Sequence, residues 1–234
     1  MSDKHLSSQF DADLNAVSSK VLEMGGLVES QIVGAMRALN EFDRDTAEKV
    51  IAAEETLNAM EVEIDQECGN IIARRQPAAR DLRLLMSISK TITNLERAGD
   101  EAEKIAKRVR RLVDEPAART VNIAEIKISG EMAVTILRRA LDAFARLDTV
   151  AAAQIVKDDK EIDQEFRAFV RKLVSYMQED PRTISVGLEY LFIAKAIERI
   201  GDHAKNIAEF IIYIVKGTDV RHQPRDTLDR EANS

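Results

Sequence analysis

The segment Glu96-Arg97-Ala98-Gly99-Asp100 recurs 102 residues later as Glu198-Arg199-Ile200-Gly201-Asp202. No other feature constrains the fold so strongly. The match continues, since Ala102, Ile105 and Ala106 return as Ala204, Ile207 and Ala208. Upstream, Ile64-Asp65-Gln66-Glu67 returns as Ile162-Asp163-Gln164-Glu165 at an offset of 98. An internal repeat of this kind means one unit built twice, with the difference in offset taken up in loops. Each unit must then have the same local structure.

That local structure reads as helix. Apolar and small positions step by three and four through Leu85, Ile88, Ile92, Leu95, Gly99, Ala102, Ala106, Val109 and Val113. A second seam runs through Ile123, Ile126, Gly130, Ala133, Leu137, Ala140, Phe144 and Leu147. Such spacing keeps one stripe facing a core. With only 9 Gly and 4 Pro in 234 residues, little interrupts the helices. Breaks fall at 40–45, around Pro77, around Pro116, at 146–149 and around Pro181. The spacing predicts helices at roughly 8–40, 44–75, 78–113, 120–146, 149–178 and 182–217. Helices of about 30 residues are about 45 Å long.

The expected fold is therefore all-α. Two tandem, pseudo-symmetric three-helix bundles span 8–115 and 119–217, with six long helices antiparallel through short loops. The 45% hydrophobic content supplies a core for both. A polar tail, 218–234, is expected to be disordered.

Several function classes are disfavoured. The formal net charge of −7 repels phosphate backbones, so nucleic acid is a poor partner. The basic run Lys107, Arg108, Arg110 and Arg111 ends a helix, where cations oppose the negative dipole end. Cys68 is the only cysteine, which removes internal disulfides and thiolate-only metal sites. Residues 1–10 carry no apolar leader segment, and the run 210–215 is far too short to span a bilayer. The expected location is the cytoplasm.

Four acidic pairs stand at matching places: Glu61 with Asp65, Glu96 with Asp100, Asp159 with Asp163, and Glu198 with Asp202. At i and i+4 both carboxylates share one helix face and repel by a few tenths of a kcal/mol. A hard cation would relieve that repulsion. Chance alone supplies roughly seven acidic i,i+4 pairs in such a composition, so one pair is ordinary solvated surface. Repetition beside the seam in both halves favours convergence of four carboxylates per half. Gly99 and Gly201 admit two readings, close helix packing or room for coordination. His203 likewise reads as a nitrogen ligand beside Asp202 or as a hydrogen-bonded flank residue. Arg97 and Arg199 could balance the carboxylates or form ordinary salt bridges.

These same residues carry a family resemblance. The two Glu-Arg-x-Gly-Asp segments, the turn Arg75-Gln76-Pro77-Ala78-Ala79-Arg80-Asp81-Leu82-Arg83, and Asp202-His203-Ala204-Lys205-Asn206-Ile207-Ala208-Glu209 resemble the hallmarks of the PhoU family, the phosphate-specific transport system accessory proteins. The likeness runs from about Phe10 to Gly217. It implies two domains able to carry metal clusters of iron, zinc, manganese or magnesium on surface carboxylates. It also implies a homodimeric cytoplasmic regulator of phosphate homeostasis. Such a protein links the ATP-binding subunit of a phosphate ABC transporter to a phosphate-sensing histidine kinase, represses starvation genes, and reaches the membrane only through those partners. One departure is Asp159, shorter than the Glu of the other three pairs, which would weaken or re-centre a second-half site.

A carboxylate-bridged di-metal enzyme on a helical bundle is the alternative. It needs Glu-x-x-His pairs, yet His5, His203 and His222 follow Ser2, Ile200 and Asp219 at that spacing. No Gly-rich phosphate loop or nucleophile elbow is present either. The expectation is a protein without catalysis.

Overall fold

The computed structural model describes residues 8–221 and residue 231. Six helices follow in order: α1 (Ser8–Glu41), α2 (Arg44–Arg75), α3 (Ala79–Leu112), α4 (Ala124–Arg146), α5 (Thr149–Glu179) and α6 (Ile184–Lys216). Among the described residues there is no strand. The bounds follow local chemistry. Asp43 caps α2 by accepting from the Asp45 and Thr46 amides, and Asp148 caps α5 through the Ala151 amide. Phe42 and Leu147, just before these caps, both take positive φ (53° and 52°) to turn the chain between helices. Around Pro116 and Pro181 the chain forms short 3₁₀ turns, Pro116–Thr120 and Pro181–Thr183. The first of these delays α4 to Ala124, four residues after the expected start at 120.

Within each half the three helices pack on one another, and across the halves α3 packs on α6 and α1 on α4. Lys20 to Glu63, Glu61 to Thr93, and Arg139 to Asp158 run antiparallel neighbours in register. The result is the expected pair of three-helix bundles, but their cores merge. Leu57, Leu95, Ile105, Ile155, Ile197 and Ile207 all lie fully buried in one continuous cluster. Burying each such side chain stabilises by about 1.5–3 kcal/mol before entropy is counted.

The pseudo-twofold is visible at the α1/α4 crossing. A Cβ on Gly25 would overlap Leu141, and one on Gly130 would overlap Met36. The pairs Gly25/Gly130, Met36/Leu141, Phe42/Leu147 and Asp43/Asp148 are each 105 residues apart. The first two helices of each half thus repeat at 105 rather than 98, while the third helices keep the offset of 102. The 98-residue recurrence of Ile-Asp-Gln-Glu is seven residues, two helical turns, out of structural register.

Of the expected tail, 222–230 and 232–234 lie outside the described residues. Val220 is buried, and Arg221 pairs with Asp219.

Candidate metal centre

The corrected register changes which carboxylates meet. In the first half one carboxylate oxygen from each of Glu54, Glu96 and Asp100 lies within 4.8 Å of the other two. Glu96 and Asp100 stand one turn apart on α3, as the sequence suggested. Their partner on α2 is Glu54, not the expected Asp65. Glu61 lies near Glu96 but accepts a hydrogen bond from Thr93 Oγ1 at 2.9 Å. Asp65 is exposed and accepts from Ser89 Oγ at 2.6 Å. The expected convergence of Glu61 and Asp65 with the α3 pair is corrected accordingly. In antiparallel helices a step toward the C-terminus of α3 moves toward the N-terminus of α2, so Asp100 sits level with Glu54.

Glu54 was missed because its i+4 neighbour is Asn58, so it forms no acidic pair. The available signal was its seven-residue spacing from Glu61, which puts both on one face of α2.

The electrostatics single out the same spot. Burial, and then the Asp100, Glu103 and Glu96 carboxylates, push Glu54 up to about 7, against a hydrogen bond from Gln31. Burial, then Asp100 and Glu61, also raise Glu96. Glu54 is only 8% exposed and its Oε1 has no hydrogen-bond partner. Gln31, on α1, is 2% exposed; its Nε2 donates to Glu54 Oε2 at 3.3 Å and its Oε1 is also unpartnered. Among the described residues neither Glu54 nor Glu96 has an ion-pair partner. A Cβ on Gly99 would overlap Leu57 and come within 3.0 Å of Gln31 Oε1, so the glycine is what lets α3 approach this pocket. One buried and two half-buried carboxylates close enough to share an ion, with orphaned oxygens at Glu54 and Gln31, fit a hard divalent cation.

The second half is arranged differently. Asp159 is 5% exposed and faces Gly201, where an added Cβ would come within 2.9 Å of its Oδ1. Burial raises Asp159 to about 6; Lys205 opposes this, and Asp202 and Asp163 add to it. Lys205 Nζ lies 3.6 Å from Asp159 Oδ2. Asp202 is raised by burial and by Asp163, against Lys205, Lys195 and Arg199. Glu198 accepts from Lys195 Nζ. Asp163 and Asp202 thus stand near enough to Asp159 to act on its charge, but among the described residues no three second-half carboxylates offer oxygens within 4.8 Å of one another, and a lysine stands beside Asp159.

Between the halves, where α3 crosses α6, His203 Nδ1 and Asn206 Nδ2 meet Asn94 Oδ1 at 3.1 and 3.0 Å. Arg199 binds the buried Glu101 at 3.1 Å, the salt-bridge alternative for that residue.

A family profile described as "PhoU domain" matches residues 21–109 and again 126–211. The chain belongs to the PhoU family. It is 59% identical over 99% of its length, and 99% of the relative's, to a Burkholderia protein named phosphate-specific transport system accessory protein PhoU homolog. The crystal structure of PhoU from Pseudomonas aeruginosa superposes with a TM-score of 0.86 at 46% identity, covering 89% of this chain and all of that one. The phosphate transport system regulatory protein PhoU from Streptococcus pneumoniae superposes at 0.84 and 29% identity, over 90% of this chain and 99% of that chain. Each matched PhoU segment contains one Glu-Arg-x-Gly-Asp motif and the glycine against which a buried carboxylate packs. Among the described residues no helix is long and apolar enough to cross a membrane.

Proposed function

We propose that this chain is a regulator of phosphate uptake that acts by binding partners rather than by catalysis. The observation that carries the reading is its near full-length identity to a protein named as an accessory of phosphate-specific transport. From the cytoplasm it links the ATP-binding subunit of the phosphate transporter to a phosphate-sensing histidine kinase and so represses phosphate-starvation genes when phosphate is plentiful. It acts as a homodimer of chains whose two units span 8–115 and 119–217.

A divalent metal belongs to this reading, with magnesium, manganese, iron and zinc all open. Glu54, Glu96 and Asp100 would hold it, with Glu61 adjoining. The ion would neutralise carboxylates that now repel one another and would tie the N-terminal part of α2 to the C-terminal half of α3. The orphaned Glu54 Oε1 supports this assignment.

Deleting the gene in its own organism tests the regulatory reading. Phosphate-starvation genes should stay switched on in phosphate-rich medium and be silenced again by the restored gene. Normal repression in the deletion strain would contradict it.

A further inference from the structure

The two halves share a backbone plan, so a position-by-position comparison shows what each does with its buried carboxylate. At the 105-residue offset Glu54 corresponds to Asp159, and Gln31 to Ile136. At the 102-residue offset Glu96 and Asp100 correspond to Glu198 and Asp202, and Glu103 to Lys205. Thr93 corresponds to Lys195. Each of these three changes acts in the same direction. The second half exchanges an amide for a hydrocarbon, an acid for a base, and a hydroxyl for a second base.

The consequences are visible in the contacts. In the first half two oxygens nine-tenths or more buried, Glu54 Oε1 and Gln31 Oε1, have no hydrogen-bond partner. Of the nearby cations, Lys107 binds Glu103 at 2.7 Å and Lys104 binds Glu101 at 2.9 Å, standing 3.9 Å from Asp100, while Arg97 acts on Glu96 at longer range and partly offsets its rise. In the second half the buried carboxylate, Asp159, has a cation beside it. The ammonium of Lys205 stands against it, and that of Lys195 against Glu198.

We infer that metal binding is confined to the first half, and that Lys205 is a built-in counter-ion that takes the metal's place in the second. This rests on the reading of Glu54, Glu96 and Asp100 as a cation site. A lysine does there what an ion would do, neutralising buried carboxylate charge. It does so permanently, without depending on metal supply. Only the first half can then respond to metal, and the second serves as a fixed scaffold. A divalent ion brought beside Asp159 would have to displace an ammonium already in place.

The test is manganese binding to chelator-treated, tag-free full-length protein, measured by equilibrium dialysis with elemental analysis, with helicity followed by circular dichroism. Wild type should bind manganese. Glu54→Gln should lose about tenfold or more in affinity, whereas Asp159→Asn should stay within about twofold, as expected when a group lies in or outside a coordination shell. Lys205→Glu, which copies Glu103 into the second half, should gain binding that Asp159→Asn then removes. If Asp159→Asn fails to fold, the gain with Lys205→Glu still decides the matter. Wild-type binding that falls equally with Glu54→Gln and Asp159→Asn, or no gain with Lys205→Glu, would overturn the asymmetry while leaving the cation reading intact. No manganese bound by wild type would overturn the cation reading itself, and the asymmetry with it.

Discussion

Glu54 and Asp159 are structural counterparts: each is a buried carboxylate on the second helix of its half, eleven residues after the capping aspartate, and each packs beside a glycine of the neighbouring helix. Glu54 carries an oxygen without a partner, whereas Asp159 has Lys205. The duplicated backbone thus holds two different charge arrangements.

The glycines in these contacts differ in what a methyl group would do. Gly99→Ala would drive a Cβ into Leu57, which is fully buried, so it should destabilise by about 1–3 kcal/mol. Gly26→Ala on exposed α1 surface meets nothing within 4 Å and should stabilise by about 0.5–1 kcal/mol. Urea denaturation of both variants checks the contrast. Equal effects would contradict the close-packing role of Gly99.

The caps make a second comparison. Asp43 accepts from two backbone amides and from the Thr46 hydroxyl, while Asp148 accepts from the Ala151 amide. Replacing either with Ala should cost about 0.5–2 kcal/mol, with Asp43→Ala at the upper end. Reversal of that order in thermal melts would show that the extra contacts at Asp43 add nothing.

Cys68 is 3% exposed, and burial followed by Asp65 and Glu67 pushes its thiol up to about 12. Thiol reagents act on thiolate, so a maleimide at neutral pH should label unfolded but not native protein. Rapid labelling of the native state would contradict this packing.

His203 is held at about 4, mainly by burial, with Arg97, Arg199 and Lys104 adding to the effect and Glu101 opposing it. A depressed histidine is neutral in the native chain while the unfolded chain takes up a proton near its ordinary value of about 6.5. Its contribution is therefore full stability above about 6.5, lost progressively as pH falls toward 4. His203→Gln can still donate to Asn94 and should show a shallower loss across that window in denaturation at stepped pH. An unchanged slope would remove His203 as a source of acid sensitivity.

Much of this architecture was legible from sequence because helices of this length leave a long periodic record. The seam from Leu85 to Val109 alone places α3 and its buried face. The site was half legible. Glu96 and Asp100 could be read as a pair because both lie on one helix, where spacing equals geometry. Glu54 could not, since its meeting with them depends on how far α2 slides along α3, which no spacing within one helix reveals. The Ile-Asp-Gln-Glu recurrence misled for the same reason: identical letters two turns apart keep the same face but not the same height. Once Asp43 and Asp148 are seen as equivalent caps, the register follows, and Lys205 emerges opposite Asp159.

The most direct measurement is an anomalous difference map from crystals of the chelator-treated protein soaked in manganese. It should show density between Glu54, Glu96 and Asp100, and none beside Asp159, where Lys205 stands. Density beside Asp159, or none at Glu54, would contradict the account.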